Sequence, residues 1–267
     1  MVVVTLVATE REELQMLAKI LNLWESARSH TPWRRQKGVS VRYVKIGKQD
    51  REVELPARDI SEESFVVEGL SYKGFRGADF RGADLSGADL TAEDLTEASF
   101  DGANLTGADL TGLDMTDASF DDTNLTDANL TDANLTNAFL DNAILIGANL
   151  RGASLTDATL DHANLTNADL TDANLKGANL IGANMTGANL TNAELSGALL
   201  DDVNLTGANL TGAKLHGAFL DNINLTNANL TNADLTETNL KDANLTGANM
   251  TGAILTGARM PRRWKWR

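Results

Sequence analysis

From Ala163 to Gly182 the chain reads ANLTN-ADLTD-ANLKG-ANLIG. Four quintets in succession repeat Ala, then Asn or Asp, then Leu, then two residues that are mostly polar or small. Followed outward, the Leu slot holds Leu, Phe or Met at every fifth residue from Phe75 to Met260. That is 38 consecutive positions without an insertion or deletion. Neither a helical stripe of period 3.6 nor a strand of period 2 produces this register. It is an internal repeat of short period, and such a repeat decides the architecture before any local propensity is weighed.

Two residues before each Leu slot lies Ala in 31 of the 38 quintets. The exceptions are Lys73, Glu93, Leu113, Thr123, Val203, Ile223 and Thr238. One large and one tiny apolar residue per quintet imply a narrow interior, with Leu on the axis and Ala allowing close backbone approach. The other three slots carry Asn, Asp, Thr and Gly, which form turns and hydrogen-bond locally. These face water.

Units such as Ala103–Gly107, Ala168–Asp172 and Ala208–Gly212 resemble the A-[DN]-L-x-x unit of the pentapeptide repeat family. The match covers 186 of 267 residues. The resemblance implies an all-β solenoid: a right-handed quadrilateral β-helix with four quintets per coil and the Leu and Ala slots pointing inward. A period of twenty is also visible without it. Asp follows the Leu slot at Asp101, Asp121, Asp141, Asp161, Asp201 and Asp221, interrupted only by Arg81, Ile181 and Lys241. The other three columns hold mostly Thr, so one side of the square differs from the rest. About nine coils at strand spacing give a rod roughly 45 Å long.

Residues 1–60 read as a small α/β module. Val2–Ala8 is a strand candidate, and Thr9-x-x-Glu12 is a capping box that satisfies N–H groups at a helix start. Leu14, Leu17, Leu21 and Trp24 follow at helical spacing. Val39, Val41 and Tyr43 alternate as a second strand, Gly47–Asp50 is a turn, and Val53–Leu55 is a returning strand. Residues 61–74 form a transition into the first coil. Residues 75–260 are the uninterrupted repeat, and residues 261–267 are a basic tail. Each coil contacts mainly its neighbours, so both ends require covers. Pro261 and the charges after it suit one end, and the N-terminal module suits the other.

Charge is unevenly spread. Residues 61–260 hold 8 Lys/Arg and 29 Asp/Glu, a net −21, within a chain of net −14. Over the rod that is about one net charge per 2 Å, near the ~1.7 Å per charge of duplex DNA. There is no Cys, hence no disulfide framework or thiol chemistry. No apolar run approaches a membrane span of about 20 residues. The short run Val2–Ala8 lacks a basic leader, so a soluble cytoplasmic chain is expected. His30, His162 and His216 belong to no catalytic pattern, and HExxH, P-loop and GxSxG motifs are absent. No enzyme, cofactor or metal is expected. The tail residues Arg262, Arg263, Trp264, Lys265, Trp266 and Arg267 mix stacking and phosphate-binding types, but covering the rod end is the simpler role.

The candidate site is the exceptional side. Like charges on adjacent strands repel, so the Asp column needs compensation, either from local turn backbone or from a cationic ligand. The slot before Leu on this side holds Phe139, Leu199 and Phe219, and Ile181 joins them from the Asp column. Apolar side chains amid acids resemble interface anchors. Ice binding through the Thr columns is disfavoured, since each strand offers one Thr. Three readings follow. The preferred one is a non-catalytic scaffold whose Asp/Phe side docks a protein partner. The alternative, implied by the Qnr- and MfpA-like members of the family, is a DNA mimic acting on DNA gyrase or another DNA-binding protein. The third is a rod without a specific ligand.

Overall fold

The structure, a computed structural model, describes residues 75–88, 90 and 94–262, and two strands nearer the N-terminus. The chain separates into two compact units, Met1–Lys73 and Gly74–Arg267.

In the first unit, β1 (Leu6–Ala8) and β2 (Val44–Ile46) pair in parallel, with Leu6 opposite Val44 and Ala8 opposite Ile46. Parallel neighbours need a crossover of a dozen or more residues, which the intervening chain supplies. β1 lies within the apolar run Val2–Ala8. β2 follows directly on the alternating stretch Val39–Tyr43 and stops at Gly47. The capping box at Thr9, the helical face from Leu14 to Trp24, the strand candidates at 39–43 and 53–55 and the transition 61–74 lie outside the described residues.

In the second unit every bridge is parallel and joins residue n to residue n + 20, from Asp79↔Ser99 to Asn239↔Arg259. One coil therefore takes twenty residues, divided among four short strands and four corners. This is the right-handed quadrilateral β-helix, with the hand that parallel connections favour. Three stacked phenylalanines report the rise per coil. Phe80, Phe100 and Phe120 stack with ring centroids 4.9 Å apart.

The quintet forms this shape because it accounts for all its backbone donors. Leu105 N–H donates to the Asn124 carbonyl at 2.7 Å, and Gly107 N–H to the Thr126 carbonyl at 2.9 Å. Ala108 N–H closes the corner on the Leu105 carbonyl at 3.0 Å. Asn124 N–H returns to the Ala103 carbonyl at 2.9 Å. The remaining donor, Thr106 N–H, is taken by the side chain of Asn104 at 3.2 Å. The second corner residue sits at φ between +55° and +72° in almost every quintet. Only Gly, Asn and Asp tolerate that region readily, which explains what fills the slot.

The interior is apolar. Leu and Ala slots from Leu95 to Leu240 are almost all buried completely. The two Thr residues standing in Ala slots satisfy their hydroxyls on backbone: Thr123 Oγ1 donates to the Phe100 carbonyl at 2.6 Å, and Thr238 Oγ1 to the Leu235 carbonyl at 2.7 Å. Val203, Ile223 and Leu113 fill the same slot and are buried.

Candidate protein-interaction wall

Three walls of the square share one polar device. The Asn or Asp before Leu accepts both the N–H and the hydroxyl of the Thr two residues on. Asn209 Oδ1 takes Thr211 N–H at 3.2 Å and Thr211 Oγ1 at 2.7 Å. Its Nδ2 reaches the preceding coil, to Asn189 Oδ1 at 3.2 Å and Thr191 Oγ1 at 2.9 Å. Asn ladders of this kind run along two of these walls, through Asn184, Asn204, Asn224 and Asn244 and through Asn189, Asn209, Asn229 and Asn249.

The fourth wall is built differently. Its column before Leu reads Asp79, Ser99, Ser119, Phe139, Thr159, Asn179, Leu199, Phe219, Asn239 and Arg259. Where that residue is Asp or Asn, it caps the N–H two residues on, as elsewhere. Asp79 caps Arg81 at 3.0 Å, Asn179 caps Ile181 at 3.2 Å and Asn239 caps Lys241 at 3.4 Å. Where it is Ser, Phe, Thr or Leu, the residue two positions on is Asp. That Asp carboxylate takes the orphan N–H of the next coil. Asp121 Oδ1 accepts Asp141 N–H at 3.0 Å, Asp141 Oδ1 accepts Asp161 N–H at 3.0 Å, and Asp201 Oδ1 accepts Asp221 N–H at 2.8 Å. Arg259 caps nothing, and Pro261 has no N–H to cap. The compensation expected from each local turn comes instead from the neighbouring coil. At Asp141, Asp161 and Asp221 the Asp one coil below thus acts as a substitute cap where the wall gives up its Asn.

The remaining members do not cap a backbone N–H. Asp101 accepts the hydroxyls of Ser99, at 3.3 Å, and Ser119. Asp221 Oδ1 accepts Asn239 Nδ2 at 2.6 Å. At Asp161 the chain of caps stops, because Ile181 N–H is already held by Asn179. Asp161 Oδ1 and its neighbour Thr159 Oγ1 are left buried without a hydrogen-bond partner. Burial pushes the Asp161 carboxyl above its usual range, with repulsion from Asp141 adding to it. Asp121 shifts the same way, mainly through burial, against the bond from Asp141 N–H. Among the described residues, the ion pairs lie elsewhere, such as Arg151–Asp169 and Lys214–Glu194, and none involves the six Asp of this column.

The predicted apolar residues share this wall. Phe139, Thr159, Asn179, Leu199 and Phe219 stand one above another by successive bridges. Phe139 is 47% and Phe219 57% exposed, while Leu199 and Ile181 are half-buried. They form two groups separated by Thr159 and Asn179. Ile144 and Ile146 lie around the corner from Phe139 and are exposed. The bridge ladder of this wall is unbroken from Asp79 to Phe219 and then lacks a rung between Phe219 and Asn239. The N–H groups of Leu220 and Asn222 reach no carbonyl there, and Asp242 is the corner residue without a positive φ. Two features escaped the sequence reading. Ile254 is half-exposed near the C-terminal coil. Acidity is also concentrated: residues 82–150 hold 14 Asp/Glu and no Lys/Arg, whereas 151–260 hold 11 and 5.

The pentapeptide-repeat family profile matches in overlapping copies from residue 75 to residue 260. The protein belongs to the pentapeptide repeat family. Among solved structures it is similar to HetL, a pentapeptide repeat protein involved in heterocyst differentiation regulation in the cyanobacterium Nostoc. The two are 36% identical over 71% of this chain and 86% of HetL, with a TM-score of 0.69. Rfr23 from the cyanobacterium Cyanothece is 35% identical over 36% of this chain and 63% of its own, with a TM-score of 0.31. Trypsin-treated QnrB1, a plasmid-mediated fluoroquinolone resistance protein, is 21% identical over 67% of this chain and 90% of its own, with a TM-score of 0.45. No curated protein matches the chain. Among the described residues no helix is long and apolar enough to cross a membrane.

Proposed function

We propose that the protein is a non-catalytic interaction scaffold that presents its fourth wall to a protein partner. The observation that carries this is the exposure of Phe139 and Phe219 on one wall, among carboxylates that have no cationic partner among the described residues. Fully burying a Phe is worth about 1.5–3 kcal/mol, and with these two about half exposed roughly half of that is left for a partner to gain on contact. The docking residues are Phe139, Ile181, Leu199 and Phe219, flanked by Asp101, Asp121, Asp141, Asp161, Asp201 and Asp221. The wall gives up its Asn ladder to display apolar side chains and caps part of its backbone with Asp. That exchange supports a surface shaped for contact rather than for stability alone. The likeness to HetL supports a regulatory setting.

The test is affinity capture from lysate with wild type and with Phe139→Asp/Phe219→Asp. Specific capture that vanishes in the double variant, at unchanged melting temperature, is the expected result. Equal capture by both sinks the reading, and no specific capture by either leaves a rod without a specific ligand. A second reading, DNA mimicry towards gyrase or another DNA-binding protein, draws on the −14 charge of residues 82–150. That segment spans about 17 Å at strand spacing, a density at least that of duplex DNA. It predicts inhibition of DNA supercoiling that fades as salt rises and is indifferent to the two Phe.

A further inference from the structure

The wall also specifies the form of what it docks, an inference that rests on the scaffold reading. Phe139 and Phe219 are four coils apart, about 19 Å along the rod. Between them run Thr159 and Asn179, smaller than Phe, then Leu199. The track is long in the axial direction and one short strand wide. An extended segment laid along it crosses the rod's own strands at right angles and leaves its backbone groups without partners. An α-helix satisfies its own. Its turn of 5.4 Å is close to the 4.9 Å between coils, so side chains three and four apart fall beside Leu199 and Phe219. Positions eleven and fourteen residues apart return to the same side after about 16 and 21 Å, which brackets the distance between the two Phe.

Charge fixes the sense of the contact. One flank of the track carries Asp141, Asp161, Asp201, Asp202 and Asp221. The opposite flank carries Thr136, Thr156, Lys176, Ser196 and His216, with Asp157 its acid among coils 136–217. Three of the carboxylates spend only Oδ1 on the wall: Asp141 and Asp201 on the next coil's N–H, Asp221 on Asn239. Their other oxygens remain for a partner's cations. The missing rung at Phe219–Asn239 opens the wall at one end of the same track.

We infer that the occupant of this wall is an amphipathic α-helix of about four turns, lying along the rod axis with apolar residues on Phe139, Leu199 and Phe219 and Lys or Arg along the Asp141–Asp221 flank. The probe is a fluorescein-labelled helical peptide of about fifteen residues, with Leu at turn-spaced positions and Lys on one side of the Leu stripe. Its comparator is the same peptide with Pro at the centre, which keeps the charge and breaks the helix. Fluorescence anisotropy reads binding to wild type, Phe139→Asp/Phe219→Asp and Thr159→Lys, with melting temperature as the fold control. The expected result is at least about tenfold tighter binding of the helical peptide, lost to a similar extent in both variants. Equal affinity for the two peptides, or no effect of Thr159→Lys, overturns the inference. Lysate capture that still depends on the two Phe while the helical peptide fails overturns the helical occupant alone. Failure of both overturns the scaffold reading with it.

Discussion

A single backbone N–H decides the identity of two side chains on the fourth wall. The residue after each Leu slot has no carbonyl to bind, and where its N–H is capped the oxygen comes from the Asn or Asp two residues back or from the Asp one coil below. The exchange predicts a coupling between sites. Asp121→Ala leaves Asp141 N–H without its acceptor and destabilises the fold by about 1–2 kcal/mol. In a Phe139→Asn background the local Asn takes over, and the same Asp121→Ala change has a much smaller effect. Chemical denaturation of the four proteins of this cycle measures the difference. Asp161 is the converse case, a carboxylate with a buried, unpartnered oxygen and Asp141 beneath it. A carboxyl whose folded pKa is raised binds more protons folded than unfolded between its two pKa values. Its charge therefore lowers stability above the folded pKa, and the penalty fades as pH falls towards the unfolded value. Asp161→Asn is expected to stabilise the protein by about 0.5 kcal/mol at neutral pH, with little difference in acid below the unfolded carboxylate range. Asp141 and His162 face Asp161, so the variant is compared with wild type across the whole titration. A larger gain in acid than at neutrality contradicts this account.

The coil as an element was largely legible. Asp121, Asp141 and Asp161 recur at twenty residues, and the bridges have that register. The Leu and Ala slots point inward as their sizes imply. The cap exchange was not legible, although its letters are present, because the missing carbonyl partner is a property of the folded corner. On the wall, Phe139 and Phe219 were visible as apolar intruders, yet the open rung beside Phe219 was not, since Ile223, Thr238 and Lys241 depart from the repeat there as Thr123 and Ile181 do where the ladder is intact. β2 falls just beyond the alternation Val39–Tyr43, where periodicity over so few residues places a strand only loosely. The corner carries its own prediction. Gly107 has φ +64° with open space around a would-be Cβ, and seventeen other corners hold non-Gly residues at similar φ, mostly Asn and Asp. Gly107→Asn is expected to change stability by less than about 0.5 kcal/mol, whereas Gly107→Val costs about 2 kcal/mol, since a β-branched residue in this region is strained. Thermal melts of the two variants decide whether conformation alone sets the corner preference.

At the scale of the whole rod, stability is a sum over coils and their contacts, so a local excess of charge has a local address. Residues 82–150 hold 14 carboxylates and no Lys/Arg, while residues 151–260 pair some of theirs, as in Arg151–Asp169 and Lys214–Glu194. At about 0.01 M salt the screening length is near 30 Å, longer than the acidic segment. Every carboxylate in it then feels the others across three or four coils. At about 1 M salt the length falls to roughly 3 Å, less than one coil spacing, and that repulsion is extinguished. Backbone bonding repeats coil after coil in both halves apart from the missing rung at Phe219–Asn239, so among the coils away from that rung charge is the main difference. Amide hydrogen exchange at low salt is therefore expected to be faster at Leu105, Leu110, Leu125 and Leu130 than at Leu190, Leu195, Leu205 and Leu210. Raising the salt should close that gap. A gap between the halves that persists at high salt traces to packing instead, and would remove self-repulsion as the weakness of the acidic coils. Uniform protection at low salt would mean that the corner carboxylates are already well solvated and that the charge is free for a cationic partner without relief of strain.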